Sequence, residues 1–269
     1  MRIIEAKYLS LIRISFKRVN EFKFDFLMRY LEIPMYLIIV YFLWKLIFRF
    51  SGKTELGGME FSRFFVYMVL ARFIFISFPF TETSEEIEEI IKSGQLTAII
   101  TRPVTFQKYV FFKLNFNTLV DGLLSIGLFL IVSFVMGWYI LDDLVYWLLF
   151  GASFVLAICL NYFFYFSIGL LSFWADEIFG ITQAVRSIRM FFSGELIPLT
   201  MFPGTLLTVA SLLPFKYMLF NPVYLYLKKY PVPEALHQLG LQLIWTVCFM
   251  IFSKILYQKG LAWYNSYGG

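Results

Sequence analysis

Apolar residues gather into long runs divided by short polar stretches, and the lengths of the runs predict the elements. The first run, about Ile33 to Phe48, has Pro34 near its start, where a helix tolerates proline. A polar, glycine-containing loop over 49–60 leads to a second run, about Phe61 to Phe80, and a third covers about Leu114 to Gly137. A short turn with Asp142 and Asp143 precedes a fourth, Leu144 to Trp174. At ~1.5 Å per residue this run measures about 45 Å. It must tilt or project beyond a hydrocarbon core of about 30 Å. Asp176-Glu177 makes a short break, and Ile178 to Ser193 is apolar apart from Arg186 and Arg189. Leu196 to Phe215 is apolar but carries Pro198, Pro203, Gly204 and Pro214, the make-up of broken or re-entrant helices. Such backbone is tolerated at membrane depth only when buried in protein or lining a cavity. A polar, proline-containing loop precedes the last run, about Leu236 to Tyr257. The pattern predicts an all-α polytopic membrane protein. It has six transmembrane helices in one domain over 1–269, with an interrupted segment at 194–215 before the last.

Two polar regions stand out. In residues 1–30, Ile4, Tyr8, Leu11, Val19, Phe22 and Phe26 recur at helical spacing among Arg2, Lys7, Arg13, Lys17, Arg18, Lys23 and Arg29. That predicts an amphipathic helix lying on an anionic membrane surface. The second region, Thr81 to Phe106 within a loop over 81–108, is the longest polar island between apolar runs. Thr83-Ser84-Glu85-Glu86 has the form of an N-capping box. Glu85, Glu86, Glu88 and Glu89 fall in the first turns, where the helix dipole favours negative charge. Lys92 sits near the end, Gly94 can terminate the helix, and Arg102-Pro103 bends the chain that follows. A capped helix between two spans suits contact with a soluble partner; the other reading is a solvated loop.

Composition confirms the class. Hydrophobic residues make up 60%, aromatics 21% and charged residues 15% of the 269, against soluble averages of about 45–50% apolar and about 25% charged. The N-terminal stretch is charged throughout and has no apolar h-region, so no signal peptide is expected. Cys159 and Cys248 lie in apolar runs and read as packing residues. With an even number of spans, residues 1–32, 81–113 and the C-terminal end share one side and carry thirteen Lys or Arg. The other side has six: Arg49, Lys53, Arg63, Lys216, Lys228 and Lys229. The positive-inside bias places both termini and the island in the cytoplasm. The net charge of +5 follows from this asymmetry and does not point to nucleic acid.

The inventory of reactive groups argues against an enzyme. There is no GxxxxGK[ST] phosphate loop, no GxSxG, and a single histidine, His237. Two-histidine metal sites are excluded, and no cofactor is expected. Charges inside spans are the positive signal, since each is costly at mid-membrane and needs a partner or a role. Arg72 and Asp121 fall at matched depths of about 11–12 Å, so that they either pair directly or each snorkel or face water separately. Arg186 and Arg189, three apart, share a helix face. They line a central cavity suited to an anionic substrate or lipid headgroup, or else belong to an interfacial segment. Most aromatics read as lipid-facing or interfacial, including Trp44, Trp138, Trp147, Trp174 and Trp263.

With these segments in place, the chain resembles the membrane subunits of type-2 ABC exporters, the ABC-2-type permeases, over essentially its whole length. The resemblance rests on the basic amphipathic N-terminus, the six spans, and the loop with Ile90-Ile91-Lys92-Ser93-Gly94-Gln95-Leu96 and Arg102-Pro103-Val104. It rests most specifically on Ser193-Gly194-Glu195-Leu196-Ile197-Pro198-Leu199 with Phe202-Pro203, on Leu213-Pro214-Phe215 and on Asn221-Pro222. These are similar to a little-characterised bacterial branch of the family. The resemblance implies that the island holds a coupling helix docked on a separate ABC ATPase subunit. It implies that 194–215 is re-entrant on the outer side, and that two permease subunits, alike or different, surround the pathway in the bacterial cell membrane. ATP hydrolysis by the partner then drives alternating access or lateral extrusion. Two other readings stay open: a transmembrane component of an ATP-driven vitamin or ion importer, and a membrane assembly protein without transport activity.

Overall fold

The computed structural model describes the backbone of residues 23–76, 80–101 and 105–268, and the side chains of 33–75, 82–101, 105–113 and 122–264. Among these residues the regular structure is helical apart from one hairpin of two-residue strands. An apolar surrounding leaves backbone polar groups no water to bond, and a helix satisfies them within its own segment.

Helix α1 (Lys23–Ser51) runs without a break through the start of the first apolar run. Pro34 therefore lies inside it rather than in a first turn, and the boundary expected near residue 30 is absent. The rest of the expected interfacial helix, residues 1–22, lies outside the described residues. The loop beyond α1 is a hairpin, Glu55–Leu56 antiparallel to Met59–Glu60, with Leu56 opposite Met59. Its two-residue turn needs positive φ twice, and Gly57 and Gly58 supply 59° and 72°.

Helix α2 (Phe61–Ile76) leads towards α3 (Phe80–Lys92) and the short α4 (Gln95–Ile100). Next come α5 (Phe106–Val110), a π turn at Phe111–Asn115, and α6 (Phe116–Val135). Helix α7 (Leu144–Gly169) begins at Asp143, whose Oδ1 accepts the Val145 N–H at 2.9 Å, and a 3-10 turn, Leu170–Phe173, extends it. Helix α8 (Phe179–Phe192) precedes a chain of short pieces. These are a 3-10 turn (Leu199–Met201), α9 (Gly204–Leu212), a second 3-10 turn (Pro214–Met218) and α10 (Phe220–Tyr226). The last helix, α11 (Val232–Gly268), has 37 residues and passes well beyond Tyr257.

Among the described residues three helices are long and apolar enough to cross a membrane: Ile33–Ser51, Leu144–Phe173 and Val232–Tyr264. Of the other expected spans, α2 has 16 residues and α8 has 14, short of the ~20 that a perpendicular crossing needs, whereas the backbone of α6 is helical over 20.

Helix α7 is the axis, with α3, α10 and α11 packed around it. Its first half meets an aromatic knot in which Tyr226 is ringed by Phe129, Tyr139, Trp147 and Phe150 at centroid distances of 5.5–6.0 Å. A polar knot pins α10 and α11 to the same helix. The buried Gln242 amide donates to the carbonyls of Ser153 and Tyr217, each at 2.9 Å, and accepts from Ser153 Oγ and Asn221 Nδ2. In an apolar interior each such donor would be costly if left unmade. Trp44, expected at an interface, is buried against Phe64 at 4.4 Å.

Candidate functional site

The polar island folds into an amphipathic helix, α3. Thr83, Ser84, Ile87, Ile90 and Ile91 are buried, whereas Glu85 and Glu89, one turn apart, are exposed. The apolar stripe lands on the end of α7, where Gly169 makes room: a Cβ there would stand 2.8 Å from Ile87 Cβ. Thr83, expected at the N-cap, lies inside the helix. The helix starts at Phe80, and Thr83 and Ser84 are turned into the protein, Ser84 Oγ lying 3.5 Å from Thr182 Oγ1 on α8. After Lys92 the chain turns at Gly94, whose φ is 77°. Arg102 and Pro103 lie outside the described residues.

The four glutamates divide. Glu86 forms an ion pair with Lys113 of the π turn. Glu88 Oε1 accepts the backbone N–H of Ile178 at 3.0 Å. Ile178 is the residue from which α8 springs, and α8 has no side-chain cap of its own. A carboxylate from α3 thus sits where the α8 dipole is positive. Lys92 Nζ, at the other end of α3, donates to the Ala175 carbonyl at 2.7 Å. The sequence identified these glutamates by charge, but the split between inward and outward pairs depends on tertiary contacts.

The α11 extension beyond Tyr257 braces the same region. Gly260 lies so close to Phe173 that a Cβ would come within 2.1 Å of its ring. Tyr264 packs edge-on to Phe173, and its hydroxyl is 3.2 Å from Thr97 Oγ1 on α4. Tyr257 stacks on Phe106. Falling hydropathy hid this extension; the clue in the sequence was a small residue, Gly260, followed by Trp263 and Tyr264.

Deeper in the bundle, the expected intramembrane charges meet new neighbours. Arg72 stands over the rings of Tyr36 at 5.0 Å and Phe75 at 5.3 Å, and Arg189 lies 5.3 Å from the same Phe75 ring. The backbone of Asp121 is on α6, but its side chain is outside the described residues, and with it the pairing with Arg72. Arg186 and Arg189 do not present one face: Arg186 is exposed, while Arg189 is buried and pairs with Glu195 at 3.2 Å. Three residues fall about 60° short of a full helical turn, so the two side chains are neighbours, and the edge between buried and exposed surface runs between them.

Glu195 belongs to the proline-rich segment. There Gly194 has φ 81°, and its carbonyl accepts the Tyr67 hydroxyl at 2.7 Å. A Cβ on Gly194 would meet that hydroxyl at 2.5 Å, so glycine is required twice over. Pro198 and Pro203 stand just before the 3-10 turn and α9, and Pro214 opens the next 3-10 turn, each where a missing N–H costs least.

The opposite end of the bundle closes on itself. Thr200 Oγ1 donates to the Gly57 carbonyl at 2.9 Å and Lys229 Nζ to the Gly58 carbonyl at 2.7 Å. Lys228 bridges Asp142 at 2.7 Å and Asp143 at 3.4 Å. The hydrogen bond from Lys228 holds the Asp142 carboxyl below its ordinary value, and the same bond raises Lys228. Among the described residues no group of His, Cys, Asp and Glu is arranged to hold a metal ion.

A family model described as "ABC-2 family transporter protein" matches residues 35–268. No curated protein matches the chain.

Proposed function

Because this chain belongs to the ABC-2 transporter family, we propose that it is the transmembrane subunit of an ATP-driven exporter, coupled through α3 to a separate ATPase subunit. It forms the translocation pathway with a second permease subunit, identical or related. Its six spans comprise the three long helices with α2, α6 and α8. Both termini and α3 face the cytoplasm of a bacterial cell, and 194–215 re-enters from the outer side.

The observation that carries this reading is α3 itself. Its apolar stripe is consumed by α7, and Glu85 and Glu89 remain on the outward face. An acidic face fits a basic groove on the partner, and such complementarity governs encounter and register. Glu88, already bonded to the α8 backbone, is not part of that face. The test is co-expression and co-purification with an ABC ATPase subunit from the same cell. Glu85→Lys with Glu89→Lys is expected to lower ATPase recovery several-fold at low salt. Full recovery would refute the electrostatic docking, and an ATPase that never binds wild type would favour an assembly role without transport.

A further inference from the structure

Helix α8 is fastened at both ends and loosely packed between them. At its start it is strapped to α3 by the Glu88 carboxylate on the Ile178 N–H, by Lys92 on the Ala175 carbonyl just upstream, and by the Ser84–Thr182 contact. At its far end, Arg189 pairs with Glu195, and Gly194 is tied to Tyr67 of α2. Along its length only Thr182 and Arg189 are buried, while Phe179, Ile181, Ile188 and Phe191 are exposed. A short helix resists bending, and few side-chain contacts hold this one in register. Displacement of one end therefore carries to the other.

We infer that α8 is a rod that transmits movement of α3 to the Arg189–Glu195 pair inside the membrane, with Glu88 and Lys92 as its positioning residues. The two ends are about 20 Å apart at ~1.5 Å per residue, so no direct contact links them. The capping carboxylate matters because it belongs to α3 rather than to α8. When α3 moves, the N-terminus of α8 either follows or loses its cap. At the far end, the pair joins α8 to the proline-rich segment, so a pull on the rod changes the contacts of Glu195. The inference rests on α3 being the docking helix, and its test separates the two ideas.

The full chain is co-purified with its ATPase, and amide hydrogen exchange over residues 186–197 is compared without nucleotide and with ATP plus vanadate. Wild type is expected to show a nucleotide-dependent change there. Glu88→Ala and, separately, Lys92→Ala are expected to keep ATPase recovery but lose most of that change; Glu88→Gln, which keeps an acceptor oxygen, is expected to restore it. A purely structural role would raise exchange in both states and preserve the difference between them. Either that pattern or a wild-type segment unresponsive to nucleotide overturns the rod while leaving docking intact. Failure of wild type to bind the ATPase overturns docking and the rod together.

Discussion

The two ends of the bundle solve opposite problems. At the hairpin end, short turns are clasped by polar groups: Lys228 on Asp142 and Asp143, Lys229 on Gly58, Thr200 on Gly57, and the Tyr146 hydroxyl on the Tyr230 carbonyl at 2.8 Å. Even Glu55 and Glu60, placed opposite each other in the hairpin, lie in the field of Lys229. At the α3 end, long helices project and are held by close packing on two glycines, Gly169 and Gly260, as well as by the polar straps of Glu86, Glu88 and Lys92. Packing there leaves Glu85, Glu89, Lys108, Lys254 and Lys259 exposed. The hairpin end ties its lysines to its own carboxylates and carbonyls, whereas the α3 end bonds Glu86, Glu88 and Lys92 within the chain and leaves Glu85 and Glu89 outward.

The largest effect that tests this contrast is expected at Gly260. In Gly260→Ala the new methyl must displace the buried Phe173 ring, which stands 2.1 Å away. Overpacking of this kind costs about 1–3 kcal/mol, a fall of roughly 2–12 °C in melting temperature at ~2–4 °C per kcal/mol. Gly57→Ala at the hairpin end meets only the ends of two side chains, Thr200 Oγ1 at 2.7 Å and Met201 Cγ at 2.9 Å, which can swing aside. Its main cost is the left-handed backbone, about 1–2 kcal/mol. Thermal melts in one detergent compare the two. A larger fall for Gly57→Ala would mean that the hairpin clasp, not the glycine packing, limits stability.

The contrast was only partly legible in the sequence. Length and hydropathy alone marked α1, α7 and α11, because a run of that length has few alternatives in lipid. Gly94 was legible as a turn because its left-handed φ suits glycine. The start of α3 was misplaced: Thr83 and Ser84 look like caps but are buried inside the helix, Ser84 against Thr182 of α8. Pro34 was placed at a helix start, yet packing carries α1 through it. The roles of Glu88 and Glu195 depend on residues 90 and six positions away; the first lies beyond any local pattern. Arg186 and Arg189 show the limit of spacing, which brings two side chains near each other but does not choose which turns inward.

A smaller effect is expected on the exposed glutamates. If their charges are kept for a partner, Glu85→Gln and Glu89→Gln change the melting temperature of the isolated chain by no more than about 0.5 kcal/mol allows. Glu88→Ala, by contrast, strips a bonded N–H of its acceptor, at about 1–3 kcal/mol. Melts of the three variants side by side check the division. Equal losses would place Glu85 and Glu89 in the fold's own scaffolding and remove the distinction between the two ends.

The smallest expected effect is a pH dependence confined to the hairpin end. Asp142 has a carboxyl held below its ordinary value of 3.8 by Lys228, and Lys228 is held above its ordinary 10.5 by Asp142. The depressed carboxyl stabilises the fold above pH 3.8 and loses that contribution as pH falls through its folded value. The raised ammonium stabilises it below pH 10.5 and loses that contribution as pH rises through its folded value. The clasp is therefore intact between these limits and weakens outside them. Asp142→Asn is expected to melt slightly below wild type across neutral pH, with the gap closing in acid as wild-type Asp142 takes up its proton. Because Asp142 is fully exposed, added salt narrows the gap at neutral pH as well. Melting curves of both chains between pH 3 and 8 at two salt concentrations read this directly. A gap unchanged in acid would mean that Lys228 holds the turn through Asp143 instead.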